Sequence, residues 1–156
     1  KPGYGYQIRM GAKALTESWD ASRGASHNHF MLGQVIEWFY KDVAGIDWEA
    51  SAPGFERIVI RPQPIGDLEW VEASYDSVRG PIAVRWERAD GKFNLRVSIP
   101  ANTTATVQLP AREGTNIVES GRAIDAHEHV KVISRTGDRA KLEIESGEYV
   151  FEADVE

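Results

Sequence analysis

The chain has 156 residues, a formal net charge of -6 and no cysteine. This length predicts one domain or slightly more, with one sizeable core, and the lack of cysteine excludes disulfides and cysteine-bound zinc. The negative charge argues against nucleic acid or an anionic membrane as a partner, because phosphate groups are bound by basic surfaces.

The chain opens with KPGYGYQ, without an initiator Met or a recognisable signal peptide. We therefore interpret it as a piece of a larger protein, whose location this sequence does not indicate. The segment GYQIRMGAKAL follows, and it predicts a short helix that Gly5 and Gly11 weaken.

A longer helix is predicted over NHFMLGQVIEWFYKDVAG, residues 28–45. Apolar residues recur there at spacings of three and four, as on one face of a helix. They are Leu32, Val35, Ile36, Phe39 and Val43. Ser26 or Asn28 is predicted to cap its start, and Gly45 to end it.

Four further apolar or aromatic residues widen this stripe: Phe30, Met31, Trp38 and Tyr40. A helix that is apolar around much of its circumference is typical of a buried helix. We therefore expect the helix to lie inside a larger helical body. Without that body, a second copy or the chain's own β-rich part would have to cover the exposed apolar face.

After residue 52 the hydrophobic period changes to two, which is typical of strands. Eight short segments rich in Val and Ile follow: RIVIRP, LEWVEASY, IAVRWER, FNLRVSIP, TATVQLP, VKVIS, AKLEIES and YVFEADV. Turn signals separate them, and Asp90-Gly91 is the firmest hairpin turn. We predict a mainly β chain: helices in residues 1–51, then an antiparallel β-sandwich of about eight strands in residues 52–156.

The block GAKALTESWD places Glu17 between two hydroxyl residues and two positions before Trp19, with Asp20 next. Glycoside hydrolysis needs two carboxyl groups across the scissile bond, and Glu17 could supply one of them. Trp19 could offer an aromatic surface to a sugar. The alternative is a solvated loop acid beside a core indole.

Two histidine pairs are candidate metal ligands. His27 and His29 are two apart at a helix start and so do not share a face, which disfavours a metal site. His127 and His129 could share one face of a strand, but a solvated edge or loop is the favoured interpretation. No metal or cofactor is predicted.

Five blocks of the chain, in order, resemble the C-terminal end of bacterial α-L-rhamnosidases of glycoside hydrolase family 78. They are PGYGYQIRMGAKALTESWD, SHNHFMLGQVIEWFYKDVAGI, PGFERIVIRPQP, ASYDSVRGPIAVRW and IPANTTATVQLP. The resemblance spans residues 2 to about 110. It implies the end of an (α/α)6 catalytic barrel, then a C-terminal β-sandwich, in an inverting enzyme that hydrolyses terminal α-L-rhamnosyl linkages.

The resemblance also implies roles for individual residues. GAKALTESWD is similar to the family block that carries the general base, which matches Glu17, with Trp19 and Asp20 in register. Asn28 and His29 match an Asn-His pair whose His contacts sugar hydroxyls. Lys13 and Thr16 replace the commoner Thr and Trp of that block.

The family's general acid lies on an earlier part of the barrel and has no match here. We therefore expect this chain alone to be inactive, with the missing N-terminal part of the barrel as its partner and a rhamnose-containing glycan or glycoside as the substrate of the whole enzyme. Self-association through the exposed barrel helix is also expected. The alternative function is a non-catalytic β-sandwich module that packs on the barrel or binds carbohydrate through aromatics such as Trp70, Tyr75 and Trp86.

Overall fold

The computed structural model describes residues 3–20 and 24–155, apart from the side chain of residue 126. The chain divides into two compact units, Lys1–Trp38 and Phe39–Glu156. The boundary between barrel and sandwich after residue 51 stays a prediction. Within the described residues, no helix combines the length and apolar character needed to cross a bilayer.

The first unit contains short helices. Helix α1 covers Tyr4–Arg9 and is followed by Gly11, whose φ of 80° a helix does not allow. The predicted first helix is therefore confirmed only in its N-terminal half. A 3₁₀ helix, Phe30–Gln34, and helix α2, Val35–Trp38, end the unit.

Three segments of different helical geometry replace the predicted long helix. They are the 3₁₀ helix, α2 and a π-helix, Phe39–Ala44, which starts the second unit. Each geometry has its own number of residues per turn, so the predicted apolar stripe does not stay on one face. The cap prediction at Ser26 or Asn28 was wrong: the Nδ1 atom of His29 accepts the Met31 N–H at 3.1 Å.

Gly45 ends the helical segment as predicted, with a φ of 86°. A Cβ atom there would lie 2.2 Å from the nitrogen of Pro62 and 2.3 Å from the carbonyl carbon of Arg61. Only glycine allows the chain to reverse this close to the second strand of the sandwich.

The second unit holds eleven strands in its described residues, in two sheets. The strands are β1 (Ile46–Trp48), β2 (Arg57–Ile60), β3 (Trp70–Ser77), β4 (Gly80–Ala89), β5 (Lys92–Ile99), β6 (Thr104–Pro110), β7 (Ile117–Glu119), β8 (Arg122–Ala123), β9 (Val130–Thr136), β10 (Arg139–Ile144) and β11 (Gly147–Asp154). One sheet has the order β1-β2-β6-β10-β9 and the other β3-β4-β5-β11-β7-β8. A short 3₁₀ helix, Ile124–Ala126, precedes β9.

All eight predicted strands are confirmed, as β2 to β6 and β9 to β11. The three that were missed, β1, β7 and β8, have two or three residues each, too few to show a period of two. Strand pairing is antiparallel except between β2 and β6, which run parallel. The mainly β sandwich is therefore confirmed, with more strands than predicted.

The Asp90-Gly91 turn is confirmed as a two-residue connection between Ala89 and Lys92. Both of its residues have positive φ, 52° and 74°, as the tight hairpin turns that match strand twist require. Ser120-Gly121 makes the corresponding turn between β7 and β8, with φ values of 48° and 78°.

The core of the second unit lies between the two sheets, where alternate residues of β4, β5, β6, β10 and β11 are buried. Trp86 is its largest member, with 0% exposure, and stacks on Phe93 at 5.8 Å. Its indole N–H donates to the carbonyl of Val43 at 2.8 Å, so the π-helix is attached to the core by a buried hydrogen bond.

Candidate functional site

The predicted site residues lie on two loops of the first unit that are hydrogen-bonded to each other. The N–H of Glu17 donates to the Ser26 carbonyl at 2.8 Å, and the N–H of His29 donates to the Leu15 carbonyl at 2.8 Å. The Glu17 block and the Asn28-His29 pair are therefore neighbours in the fold, although they are separate segments of the sequence.

The carboxylate of Glu17 is exposed and is oriented by the backbone. Its Oε2 accepts the N–H of Ser26 at 3.0 Å. Together with the backbone bond in the opposite direction, this contact links Glu17 to Ser26 through both main chain and side chain. A carboxylate held in this way can accept a proton from a water molecule placed beside it.

Two buried polar side chains position the backbone directly after Glu17. Gln7 and Thr16 are the two buried residues among the described residues of Lys1–Trp38. Gln7 Nε2 donates to the Ser18 carbonyl at 3.1 Å, and Thr16 Oγ1 donates to the same oxygen at 2.7 Å. Thr16, noted in the sequence as a departure from the family block, thus has a positioning role here, and nothing in the sequence pointed to Gln7.

Trp19 is partly exposed and packs edge-on against Tyr4, with the ring centroids 4.8 Å apart. The hydroxyl of Tyr4 in turn donates to the Leu32 carbonyl at 2.5 Å. Asp20 is exposed and accepts the hydroxyl of Ser18 at 2.7 Å. The indole is therefore fixed by α1, while Asp20 is tied to the loop that carries Glu17.

His29 is half-buried and stacks on the ring of Phe30 at 5.4 Å. Since its Nδ1 accepts the Met31 N–H, the neutral imidazole carries its proton on Nε2. This nitrogen is therefore a donor suited to a hydroxyl oxygen. Asn28 is exposed, and its N–H donates to the Ser26 hydroxyl at 3.4 Å.

The second histidine pair forms a contact that the sequence did not predict. His127 Nε2 lies 2.8 Å from Oε2 of Glu119, whose side chain is 6% exposed. His127 Nδ1 also accepts the N–H of His129 at 3.3 Å, so both ring nitrogens are used within the sandwich. In residues 3–20 and 24–155 no three His, Asp or Glu side chains are grouped as metal ligands.

The aromatic residues of the sandwich divide into core and surface. Trp86 is completely buried, so it cannot contact a ligand as the carbohydrate-binding alternative supposed. Trp70 and Tyr75 are both partly exposed on β3. Tyr75 contacts Phe55, with ring centroids 5.0 Å apart.

Two family models match the chain in succession. The bacterial alpha-L-rhamnosidase 6 hairpin glycosidase domain matches residues 1–43, and the bacterial alpha-L-rhamnosidase C-terminal domain matches residues 45–123. An alpha-L-rhamnosidase of Streptomyces avermitilis is 32% identical over 96% of this chain, which covers 14% of that protein.

Solved structures give the same result. An alpha-L-rhamnosidase from Dictyoglumus thermophilum matches 98% of the chain with a TM-score of 0.85 and 29% identity, over 17% of its own length. The Streptomyces avermitilis alpha-L-rhamnosidase complexed with L-rhamnose matches 97% of the chain with a TM-score of 0.84 and 31% identity, over 15% of its own length. The chain thus spans about a sixth of the length of these relatives.

The C-terminal domain model alone covers just over half of the chain, and the six-hairpin model adjoins it. On these matches, the chain belongs to the bacterial alpha-L-rhamnosidase family.

Proposed function

We propose that this chain is part of an inverting α-L-rhamnosidase-like glycoside hydrolase that removes terminal α-L-rhamnose from glycans or glycosides. In this proposal residues 1–51 complete its (α/α)6 barrel and residues 52–156 form its C-terminal sandwich. The observation that carries the proposal is the pairing of the Glu17 loop with the Asn28-His29 loop, inside the segment that matches the six-hairpin glycosidase model.

Glu17 is proposed as the general base. In an inverting glycosidase, one carboxylate takes a proton from water on one face of the sugar, while a carboxylic acid on the other face protonates the leaving oxygen. Residues 1–38 contain three carboxylates, Glu17, Asp20 and Glu37. Glu17 is favoured because a backbone N–H of the facing loop orients its carboxylate oxygen.

The other predicted residues are proposed to hold the sugar. His29 offers an Nε2 donor to a hydroxyl, because its Nδ1 is already an acceptor. Trp19, fixed against Tyr4, offers an aromatic surface to the C–H groups of a pyranose ring. Asn28 and Asp20 are exposed on the same pair of loops and supply further polar groups.

The general acid is proposed to lie in a segment outside this chain, and this chain alone is proposed to be inactive. Inverting enzymes need both carboxyl groups, about 6.5–9.5 Å apart, around one bound sugar. The proposal predicts no release of rhamnose from an aryl rhamnoside by the purified chain. Measurable turnover by this chain would contradict it.

The test of the base is Glu17→Gln in the intact enzyme. Glutamine keeps the shape of the side chain and can still accept the Ser26 N–H, but it cannot take a proton from water. We expect kcat to fall by roughly 10²–10⁴-fold, the usual contribution of a general base.

The matched control is Glu37→Gln, which makes the same change in charge on α2 and should leave kcat within a few-fold of the parent. A fall of less than about tenfold for Glu17→Gln would rule out the assigned role.

A further inference from the structure

The outer face of the six-stranded sheet carries a groove with a volume of about 360 Å³. Its floor is a row of small side chains on neighbouring strands, in which Ser74 pairs with Ala83 and Ala83 pairs with Ser98. Larger side chains on the adjacent row, including Arg85 and Arg96, form its wall. The groove exists because small and large residues occupy neighbouring rows of one sheet face.

Arg85 makes three side-chain contacts at this wall. Its guanidinium lies 2.9 Å from Glu72 and 3.6 Å from Glu87, and its central carbon is 5.0 Å from the centre of the Trp70 ring. Trp70 is 55% exposed and lies on the far side of this wall from the floor of the groove. The guanidinium therefore lies between the groove and the indole, in contact with two carboxylates and the aromatic ring.

Arg96 lies directly opposite Arg85 in the β4–β5 pairing. Like charges at directly opposed positions destabilise a sheet. Glu72 and Glu87 offset the charge of Arg85, but within the described residues, 3–20 and 24–155, no side chain is hydrogen-bonded or ion-paired to Arg96. An arrangement that breaks a local rule of stability without compensation is typical of a functional position.

Glu148 provides a hydrogen-bond acceptor in the same groove as Arg96. It pairs with Ser98 at the end of the floor row and lines the same groove. In the part of the chain that the structure describes, its carboxylate forms no ion pair with Arg96 or any other cation. Among the described residues the groove thus offers a donor and an acceptor without ion-pair partners, both beside Ser98: Arg96 lies two residues before it on β5, and Glu148 pairs with it on β11.

We propose that this groove binds a neutral oligosaccharide of pyranose units. The mixed charges decide the class of ligand: Glu72 and Glu148 disfavour an anion, whereas Arg85 and Arg96 disfavour a cation. Sugar hydroxyls both donate and accept, so they satisfy Arg96, Glu148 and the floor serines together. Trp70 supplies an apolar surface for the next sugar ring.

The residues that line this groove all belong to Phe39–Glu156, whereas Glu17 and His29 belong to Lys1–Trp38. The proposal therefore does not depend on the proposed hydrolysis.

The test is an amide NMR titration of the 156-residue chain with rhamnosyl-α-1,6-glucose, cellotriose and xylotriose at millimolar concentration. We expect at least one sugar to cause saturable shifts at the amides of Ser74, Ser98 and Glu148. Arg96→Ala should raise its Kd by about tenfold or more, since hydrogen bonds to a charged group are the stronger ones. Trp70→Ala should weaken binding as well.

Arg122→Ala is the matched control, because Arg122 is an exposed arginine on β8 of the same sheet and does not line the groove. It should leave the Kd unchanged. Arg96→Lys keeps the charge and most of the side-chain length but lacks the planar pair of donors, so it should bind more weakly than the parent while the fold is preserved.

Four results would overturn the proposal. They are no shift at the groove amides with any of the three sugars, shifts confined to Lys1–Trp38, equal affinity in Arg96→Ala, and binding of a uronate trisaccharide in place of the neutral sugars.

Discussion

The two units of this chain are stabilised in opposite ways. In the described part of Lys1–Trp38, the two buried residues, Gln7 and Thr16, are both polar. In Phe39–Glu156, a continuous core of apolar residues runs from Val43 to Ala153. The first unit keeps its loops in place with hydrogen bonds and leaves several large apolar side chains exposed, such as Ile8, Met10 and Phe30, whereas the second buries its core residues between two sheets.

The first unit carries the proposed site residues, whereas the second carries the apolar core. A sandwich that buries its own core has the main requirement for folding independently. A unit whose buried residues are polar and whose large apolar side chains are mostly exposed has the surface of a part that packs against neighbouring chain. We propose that in the intact enzyme the remaining helices of the barrel cover residues such as Phe30, which is 87% exposed here.

The largest expected effect tests the core of the second unit. Trp86→Ala removes a completely buried indole and its hydrogen bond to the Val43 carbonyl. We expect the free energy of unfolding to fall by about 3–5 kcal/mol, as for large aromatic truncations in cores. Urea denaturation followed by circular dichroism measures it.

The same truncation at Trp19, in the first unit, should cost far less, because that ring is partly exposed. Comparable losses for the two variants would show that the two units are not stabilised differently after all.

The next effect concerns the reversal at the start of the sandwich. Gly45→Ala places a methyl group 2.2 Å from the Pro62 nitrogen, at a φ of 86°. We expect a loss of roughly 2 kcal/mol or more in the free energy of unfolding, from the clash together with the left-handed backbone.

Gly66→Ala is the control, since Gly66 also has a positive φ but a methyl group added there would meet nothing within 4 Å. Gly66→Ala should lower the free energy of unfolding only by the cost of a non-glycine residue at positive φ, about 1 kcal/mol. If both variants lost the same stability, close packing would not be what requires glycine at position 45.

A smaller effect depends on pH and again belongs to the core. Burial raises the pKa of Tyr149 above its ordinary value of 10.0. The folded state therefore retains the phenolic proton where the unfolded state loses it, so this contribution to stability is present below pH 10 and is lost as the pH rises above it.

Unfolding by urea at a series of alkaline pH values measures this slope, which Tyr149→Phe should reduce. Tyr75→Phe serves as the control, since Tyr75 is partly exposed. An unchanged slope in Tyr149→Phe would mean that other groups cause the alkaline loss of stability.

The smallest effect on stability tests the surface of the first unit. Phe30→Ser should change the free energy of unfolding by no more than about 0.5 kcal/mol, as surface substitutions usually do. It should nevertheless lower self-association of the chain, which sedimentation velocity measures across a concentration series.

Val78→Ser is matched in exposure, at 89%, but lies in the second unit. It should leave self-association as it is. If Val78→Ser reduced association as strongly as Phe30→Ser, the first unit would not be the association surface.

How far the sequence predicts this protein varies with the length of each element. The alternation in β4 and β5 is long enough to show which residues face the core, and Asp90-Gly91 marks the turn between them. The strands β7 and β8 are too short for any period to appear. The apolar spacing of residues 28–45 predicted one helix, but the structure has three helical geometries, because local spacing does not report how the turns are wound.

The candidate site could likewise be predicted only in part from the sequence. The block around Glu17 and the pair Asn28-His29 are visible in the sequence, and their roles stay predictions. The buried partners Gln7 and Thr16 are not visible, because nothing in their local sequence reveals that both donate to the Ser18 carbonyl. The contact between His127 and Glu119 was missed for the same reason.

By itself, the sequence determined the mainly β character, the eight longer strands, the hairpin turn at Asp90-Gly91 and the end of the helical segment at Gly45, because each depends on residues close together in the chain. The tertiary structure alone decided the parallel pairing of β2 with β6, the burial of Trp86 and the position of Arg96 opposite Arg85. These features join segments distant in sequence, and local propensity carries no information about which distant strand becomes a neighbour.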